Sequence, residues 1–507
     1  MKLIYDVQDR PPMAETIVFA FQQMIAIMAA TLLVPMIMTG FTGGALYFDP
    51  AAALCGAGFG TIVYILFTKG KSPVFLGSSF TFLGAYAATL GAGYGYWGVI
   101  LGIAFAGLVY VVIALIVKFV GSKWVNKILP PIIIGPIVAL IGLSLSGTAT
   151  DWSMNNGGST YNLLSVLCAV VTFLVIVLVS VRGGKKLKLI PFIIGIGAGY
   201  VLALIFTLIG MAAHSEYMQI LSFDPFKAAF DPFKFTSILD YPKFTFLLAI
   251  KNPEASHIDG AAVAAIALIF IPIGVVELAQ HIADHKNLGN IINKDLIAEP
   301  GLDKTLLGDG CGSIVGGFFG GAANTTYGES IGCVAITGNA SIVSIFVASI
   351  GCILLSFFTP FVALINSIPK CVMGGACIAL YGFIAVSGLQ MLKKVDLGNN
   401  KNLFVVSAIL VTGIGGMVLN FGNKNGSPVI QISTLAVAMI MGIITNLIAH
   451  KGKMATGEEI EDDNAGLAAA ADAIKDAVVD AETTIAPEDT APKAAEAPVA
   501  EEAPKAE

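Results

Sequence analysis

Charge is what this sequence has least of. Only 12% of its 507 residues are Asp, Glu, Lys or Arg, roughly half the share usual in a soluble protein. An ordinary cytosolic enzyme of this length needs a more polar surface than that. A formal net charge of −6 also excludes the basic footprint of a nucleic-acid binder. Histidine is scarce, with five residues, and the seven cysteines (Cys55, Cys168, Cys311, Cys333, Cys352, Cys371 and Cys377) form no C-x-x-C pair. No zinc or haem spacing is present, so neither a disulfide scaffold nor a common metal site is encoded. These cysteines lie in apolar, Gly-rich surroundings and read as small packing residues between membrane helices. The opening MKLIYDVQDRPP carries charges and prolines, and no small-residue cleavage site follows it. The first apolar run therefore reads as a retained membrane helix.

What the chain has instead is apolar length: 56% of residues are hydrophobic and 56 are glycine. About twenty apolar residues cross a bilayer core. Runs of that order lie near 14–38, 51–67, 97–118, 129–147, 162–181, 190–211, 260–282, 306–320, 340–359, 361–388, 403–421 and 428–449. Two more, near 74–90 and 321–338, are broken by Gly, Ser, Thr and Asn. This predicts an all-α polytopic membrane protein of about fourteen segments, seven on each side of a polar loop at 212–259. The few charges are unevenly placed. Residues 454–507 carry a net −12 and residues 1–453 a net +6. The tail is rich in Ala, Glu and Pro and has too few large apolar residues to offset ordering entropy, so it is expected to be a disordered appendage. The loops after segments two, four and six hold Lys69, Lys71, Lys118, Lys123, Lys127, Arg182, Lys185, Lys186 and Lys188, and those after one, three and five hold no basic residue. By the positive-inside rule both termini are then cytoplasmic.

The two halves echo each other. Gly58-Phe59-Gly60-Thr61-Ile62-Val63 recurs as Gly310-Cys311-Gly312-Ser313-Ile314-Val315, and Gly135-x-x-x-Ala139-Leu140-x-Gly142 recurs as Gly375-x-x-x-Ala379-Leu380-x-Gly382. Between them lie Ser78-Ser79-Phe80 in one broken segment and Thr325-Thr326-Tyr327 in the other. An odd number of spans in each half requires opposite topology, and paired interrupted segments in inverted repeats point to a transporter's central site.

Charge inside a bilayer marks function by default. Segment eight holds Glu277, Gln280, His281, Asp284 and His285. At about 100° per residue, Glu277, His281 and Asp284 share a face with Gln280 beside it, offering carboxylates and imidazoles whose protonation can change in a transport cycle. Asp284 and His285 alternatively sit at the solvated end of the helix. The tenth segment reads Asn324-Thr325-Thr326-Tyr327-Gly328-Glu329-Ser330-Ile331-Gly332. Irregular backbone at membrane depth survives only when buried in protein or lining a cavity. Its free amides can bind carbonyl oxygens, Glu329 can accept ring N–H groups, and Phe80 or Tyr327 can stack on a flat ring. By chemistry alone the solute is small, polar and planar.

Glu329-Ser330-Ile331-Gly332-x-x-x-x-Thr337-Gly338, with Leu76-Gly77-Ser78-Ser79-Phe80, Asn324–Glu329, Arg10-Pro11-Pro12 and Lys294-Asp295-Leu296, resembles the nucleobase–ascorbate transporter family, most of all its uracil permease branch. The likeness covers about residues 8–450. It implies seven-plus-seven inverted repeats (first about 14–211, second about 260–449, within a membrane domain 1–453), short strands in segments three and ten, and core and gate domains. It further implies that Glu329 holds the base, that the Phe80 and Gly328 amides meet its carbonyl oxygens, that Tyr327 shapes the pocket, and that Tyr381 approaches from the gate. Three departures stand out: Ser330 replaces the family's Asn, Gln23 its His, and Gln280 its substrate-binding Glu, with Asp284 at the His/Asp position. Glu277, one turn earlier, is the alternative to Gln280.

The expected activity is import of a nucleobase, uracil first, by proton symport and alternating access in a bacterial plasma membrane, with Asp284, Glu329 and His281 as candidate proton carriers. A xanthine or urate permease is the alternative; a channel or membrane enzyme fits poorly. The expected partners are the nucleobase, the bilayer and, by the resemblance, a second copy in a homodimer. No cofactor beyond the proton and no nucleic acid is expected.

Overall fold

The computed structural model describes residues 3–121, 130–158, 160–184, 187, 190–253, 258–424, 427–432 and 434–451, all within the unit Met1–Thr456. Lys123, Lys127, Lys185, Lys186 and Lys188 and the acidic tail at 454–507 lie outside the described residues. Every apolar run marked in the sequence contains a helix. The first half comprises α1 (Met13–Phe41), α2 (Pro50–Phe67), α3 (Leu83–Gly91), α4 (Gly95–Val120), α5 (Pro131–Ser144), α6 (Ser146–Asn155), α7 (Leu163–Arg182) and α8 (Pro191–Ala212). The polar connection holds two short helices, α9 (Asp224–Phe230) and α10 (Thr245–Lys251). The second half comprises α11 (Gly260–Ile292), α12 (Leu302–Gly320), α13 (Gly328–Thr337), α14 (Ile342–Ser356), α15 (Thr359–Asn366), α16 (Lys370–Met391), α17 (Asn400–Ile414) and α18 (Thr434–Ala449). Among the described residues, eight helices are long and apolar enough to cross a membrane, taking α5 and α6 as one.

Local signals set the helix ends. Proline opens α2, α5 and α8, where its missing N–H costs nothing. Asp49, Asn162 and Asp259 cap α2, α7 and α11 through their side-chain oxygens. Three expectations about extent are corrected. Segment eight runs ten residues beyond 282, to Ile292. The run at 361–388 splits before α16, at Pro369, the residue that precedes it. Residues 419–421 and 428–432, expected as the ends of two membrane helices, belong instead to a hairpin of β3 (Leu419–Lys424) and β4 (Ser427–Ile432). Gly416 takes a positive φ of 72° just after α17 and ends that helix, Pro428 is disfavoured in a helix interior, and Val429, Ile430 and Ile432 are β-branched, so this stretch favours strand over helix.

The repeated motifs meet their own counterparts. A methyl on Gly60 would lie 2.8 Å from the Gly312 carbonyl oxygen and one on Gly312 2.9 Å from that of Gly60, so α2 and α12 pack backbone to backbone. In the second pair Gly142 of α5 sits under the Tyr381 carbonyl of α16, whereas Gly135 meets Gly388, beyond the end of that motif. The strands expected in the two broken segments are present. β1 (Leu76–Ser78) pairs antiparallel with β2 (Asn324–Thr326), Leu76 opposite Thr326, Gly77 opposite Thr325 and Ser78 opposite Asn324.

Two three-residue strands leave many backbone groups unpaired, and hydrocarbon offers none a partner. Neighbouring side chains and strand ends supply them. The Leu76 amide donates to Thr61 Oγ1 at 2.9 Å, the Phe75 amide to Ser330 Oγ at 2.9 Å, and the Ser79 amide to the Ala323 carbonyl at 2.9 Å. Ala323 N–H reaches Tyr86 Oη at 2.7 Å, Ser313 Oγ donates to the Asn324 carbonyl, and Asn324 Nδ2 donates to the Gly56 carbonyl at 2.8 Å. These bonds tie the breaks to α2 through Thr61 and Gly56, to α12 through Ser313, to α3 through Tyr86 and to α13 through Ser330.

Candidate functional site

A cavity of about 330 Å³ opens where the two breaks meet α11, at the small end of the range for pockets that hold one organic molecule. Its two walls differ in chemistry. One is built from Ser79, Phe80 and Thr81 after β1, from Gln280, Ala283 and Asp284 on α11, and from Thr325, Tyr327, Gly328 and Glu329 around β2 and the start of α13. The other is apolar, with Val138 and Ile141 of α5, Phe192 of α8, and Leu380, Phe383, Ile384 and Met391 of α16.

On the polar wall each group is positioned by a neighbour. Tyr327 Oη donates to the Ser78 carbonyl at 2.7 Å, which lays its ring across Gly77. Glu329 lies in the first turn of α13, where the helix dipole favours an anion. Gly328 begins that helix, and a methyl there would meet nothing within 4 Å. The amides of Phe80 and Gly328 have no hydrogen-bond partner among the described residues. Thr326 Oγ1 donates to Asp284 Oδ2 at 2.9 Å. Phe80 meets Tyr381 edge to face, ring centroids 5.7 Å apart.

Phe80, Gln280, Asp284, Tyr327, Gly328 and Glu329 are thus brought together around one space. Tyr381 stands behind Phe80, and His281 does not reach the cavity. The single helical face read for Glu277, His281 and Asp284 divides. Asp284 joins Gln280 at the cavity, whereas Glu277 turns to Ser79 (Oγ to Oε1, 3.2 Å) and His281 to Asp309 (Nδ1 to Oδ2, 2.6 Å). The solvated reading of Asp284 and His285 is also corrected: Asp284 lines the cavity, and His285 is buried with Nε2 2.6 Å from Tyr64 Oη. Two departures from the family pattern touch each other. Gln23 Nε2 donates to Ser330 Oγ and, at 3.4 Å, to the Ser330 carbonyl. Sequence reasoning passed over Asp309, although an acid amid the glycines of α12 was a visible signal.

The family model Xan_ur_permease, described as a permease family, matches residues 14–422. The chain belongs to the nucleobase–ascorbate transporter family. It is a multi-pass membrane transporter and not an enzyme. It is 36% identical to the uracil permease of Bacillus caldolyticus over 468 residues, 91% of this chain and 98% of that protein. The uracil permease of Escherichia coli K12 is 32% identical, over 90% and 96% of the two chains. In fold it resembles the transmembrane domain of the cyanobacterial bicarbonate transporter BicA, with a TM-score of 0.54, 14% identity, and cover of 86% of this chain and all of the other. The overall structure of SLC26A9 is matched with a TM-score of 0.54 at 12% identity, over 87% and 66% of the two chains.

Proposed function

We propose that this permease imports a nucleobase, uracil first, together with a proton. The observation that carries the reading is the two-sided cavity. Its polar wall offers two carboxyl groups (Glu329 and Asp284, the latter bonded to Thr326), one carboxamide (Gln280) and two backbone amides, and the rings of Phe80 and Tyr327 border the same space. Amides suit ring carbonyls, Glu329 suits a ring N–H, and aromatic and aliphatic faces suit a flat base. The uracil permeases among its relatives support the same solute. Gln280 both donates and accepts where a carboxylate only accepts, so preference among bases rests on this residue.

Fourteen segments in two inverted repeats, both termini cytoplasmic and a bacterial plasma-membrane location complete the proposal. The polar wall would belong to a core that moves against the apolar wall of a gate. Asp284, Glu329 and His281 are its candidate proton carriers. Uptake of labelled uracil into liposomes holding the purified protein tests it. Uptake should saturate, be competed by uracil more than xanthine, and fall when the proton gradient is collapsed. Competition by xanthine alone would replace uracil with a purine base, and uptake indifferent to the gradient would remove the symport.

A further inference from the structure

Glu277 of α11 lies behind the polar wall, buried and three residues before Gln280, and does not line the cavity. A carboxyl group at this depth is costly unless it serves a function. Its Oε1 accepts from Ser79 Oγ at 3.2 Å, and its Oε2 has no hydrogen-bond partner among the described residues. Ser79 Oγ accepts in turn from the Thr81 amide at 3.3 Å. A serine hydroxyl bonded to the amide two residues on closes a local turn, and the residue enclosed by this one is Phe80.

The peptide planes on either side of that turn are held. The Ser78–Ser79 plane is fixed by the Ala323 carbonyl, which accepts from the Ser79 amide at 2.9 Å, and by Tyr327 Oη, which donates to the Ser78 carbonyl. The Phe80–Thr81 plane is fixed by the Leu83 amide, which donates to the Phe80 carbonyl at 3.1 Å, and by Ser79 Oγ. The plane between them carries the Phe80 amide and makes no backbone hydrogen bond among the described residues. Its direction is therefore set by its neighbours and by the rotamer of Ser79. A serine side chain has three staggered wells to choose from, and the Glu277 acceptor selects the one that also reaches the Thr81 amide. A hydroxyl that donates to a carboxyl oxygen is polarised and becomes a better acceptor itself.

We propose that Glu277 is a positioning residue: through Ser79 it holds the turn that aims the Phe80 amide at a carbonyl oxygen of the base. The proposal rests on the substrate reading above and adds what a carboxyl group outside the cavity does for it. An amide held in its bound direction beforehand spends no binding energy on being ordered when the base arrives.

The test uses the full-length protein in detergent and calorimetric titration with uracil, 2-thiouracil and 4-thiouracil. Each thio analogue replaces one carbonyl oxygen with sulfur, a weaker acceptor, so the two affinity ratios to uracil report the two ring carbonyls separately. Glu277→Leu should weaken uracil binding by about two- to tenfold. It should also bring one of the two ratios towards one and leave the other unchanged, which a general loosening of the fold would not do. Glu277→Gln keeps an oxygen for Ser79 to donate to and should restore both affinity and ratio. Ser79→Ala should reproduce the loss and the same change of ratio, and Glu277→Leu added to it should do nothing more. It carries the test alone should Glu277→Leu fail to fold. Unchanged ratios, an equal change in both, no rescue by glutamine, or full additivity of the two substitutions overturns the positioning role. Wild-type protein that does not bind uracil, or that binds both analogues as tightly, refutes the substrate reading itself and the positioning role with it, before any variant is made.

Discussion

Gly77 lacks a side chain where Tyr327 fills the space, and replacing it with alanine is a direct test of the site's construction. The added methyl would lie 2.3 Å from Tyr327 Cε2 and 2.4 Å from Cζ, about 1 Å inside ordinary carbon–carbon contact. The ring cannot swing aside cheaply. Its hydroxyl is tied to the Ser78 carbonyl at 2.7 Å and its amide to the Phe75 carbonyl at 3.3 Å. Overpacking of this kind costs about 1–3 kcal/mol, and losing the buried hydroxyl bond adds about 1 kcal/mol. The sum of about 2–4 kcal/mol corresponds to roughly 30- to 700-fold in an equilibrium constant. Thermal unfolding in detergent and calorimetric titration with uracil measure how the loss divides between stability and affinity. Gly84→Ala and Gly332→Ala are the controls, since a methyl at either meets nothing within 4 Å, and both should behave as wild type. A Gly77→Ala protein with wild-type midpoint and affinity would refute the placement of Tyr327 over β1.

Glu329→Gln removes a charged acceptor from the cavity and should weaken uracil binding by about 1.5–3 kcal/mol, roughly 10- to 150-fold by calorimetry. Gln280→Ala should cost about tenfold in the same titration, whereas Glu277→Gln, whose carboxylate faces Ser79, should leave affinity unchanged; the reverse order would move the substrate contact to Glu277. Gln23→Ala and Ser330→Ala both remove the contact between these two side chains, and Ser330→Ala also takes the acceptor from the Phe75 amide, so Ser330→Ala should be the worse single variant and the double variant should melt little lower than it. At the surface, Lys294 Nζ lies 2.8 Å from both Asp6 oxygens and holds that carboxyl below its ordinary value of 3.8. A lowered folded value gives stability that is present above 3.8 and lost as pH falls through the lowered value. Lys294→Met should therefore cost under about 1 kcal/mol at neutral pH, and its melting curve should converge on wild type below pH 3.8.

The repeated glycines illustrate what local pattern carries well. Gly60 and Gly312 were recognisable as a repeat, and small residues in membrane helices mark close approach; the structure shows the two helices packed against each other. The helix-breaking Gly, Ser, Thr and Asn of residues 74–90 and 321–338 were equally legible, because polar, flexible residues in an apolar run cannot continue a lipid-facing helix. The face assignment on α11 was not legible. A helical wheel places Glu277 beside Asp284 within about 20°, and only the neighbours differ: Ser79 claims one and the cavity and Thr326 claim the other. The 419–432 hairpin was missed because a short apolar run is compatible with either a helix end or a strand.

By itself the sequence determined the solvent and the breaks. Transfer free energies add residue by residue, so scarce charge and long apolar runs specify a lipid-embedded helical chain in any arrangement of its parts. Only the tertiary structure decided which polar groups meet. Gln23 finds Ser330 across 307 positions, His285 finds Tyr64 across 221, and His281 finds Asp309 across 28. Burial obliges each of these groups to have a partner, but the identity of the partner depends on how the helices pack, which no local pattern encodes.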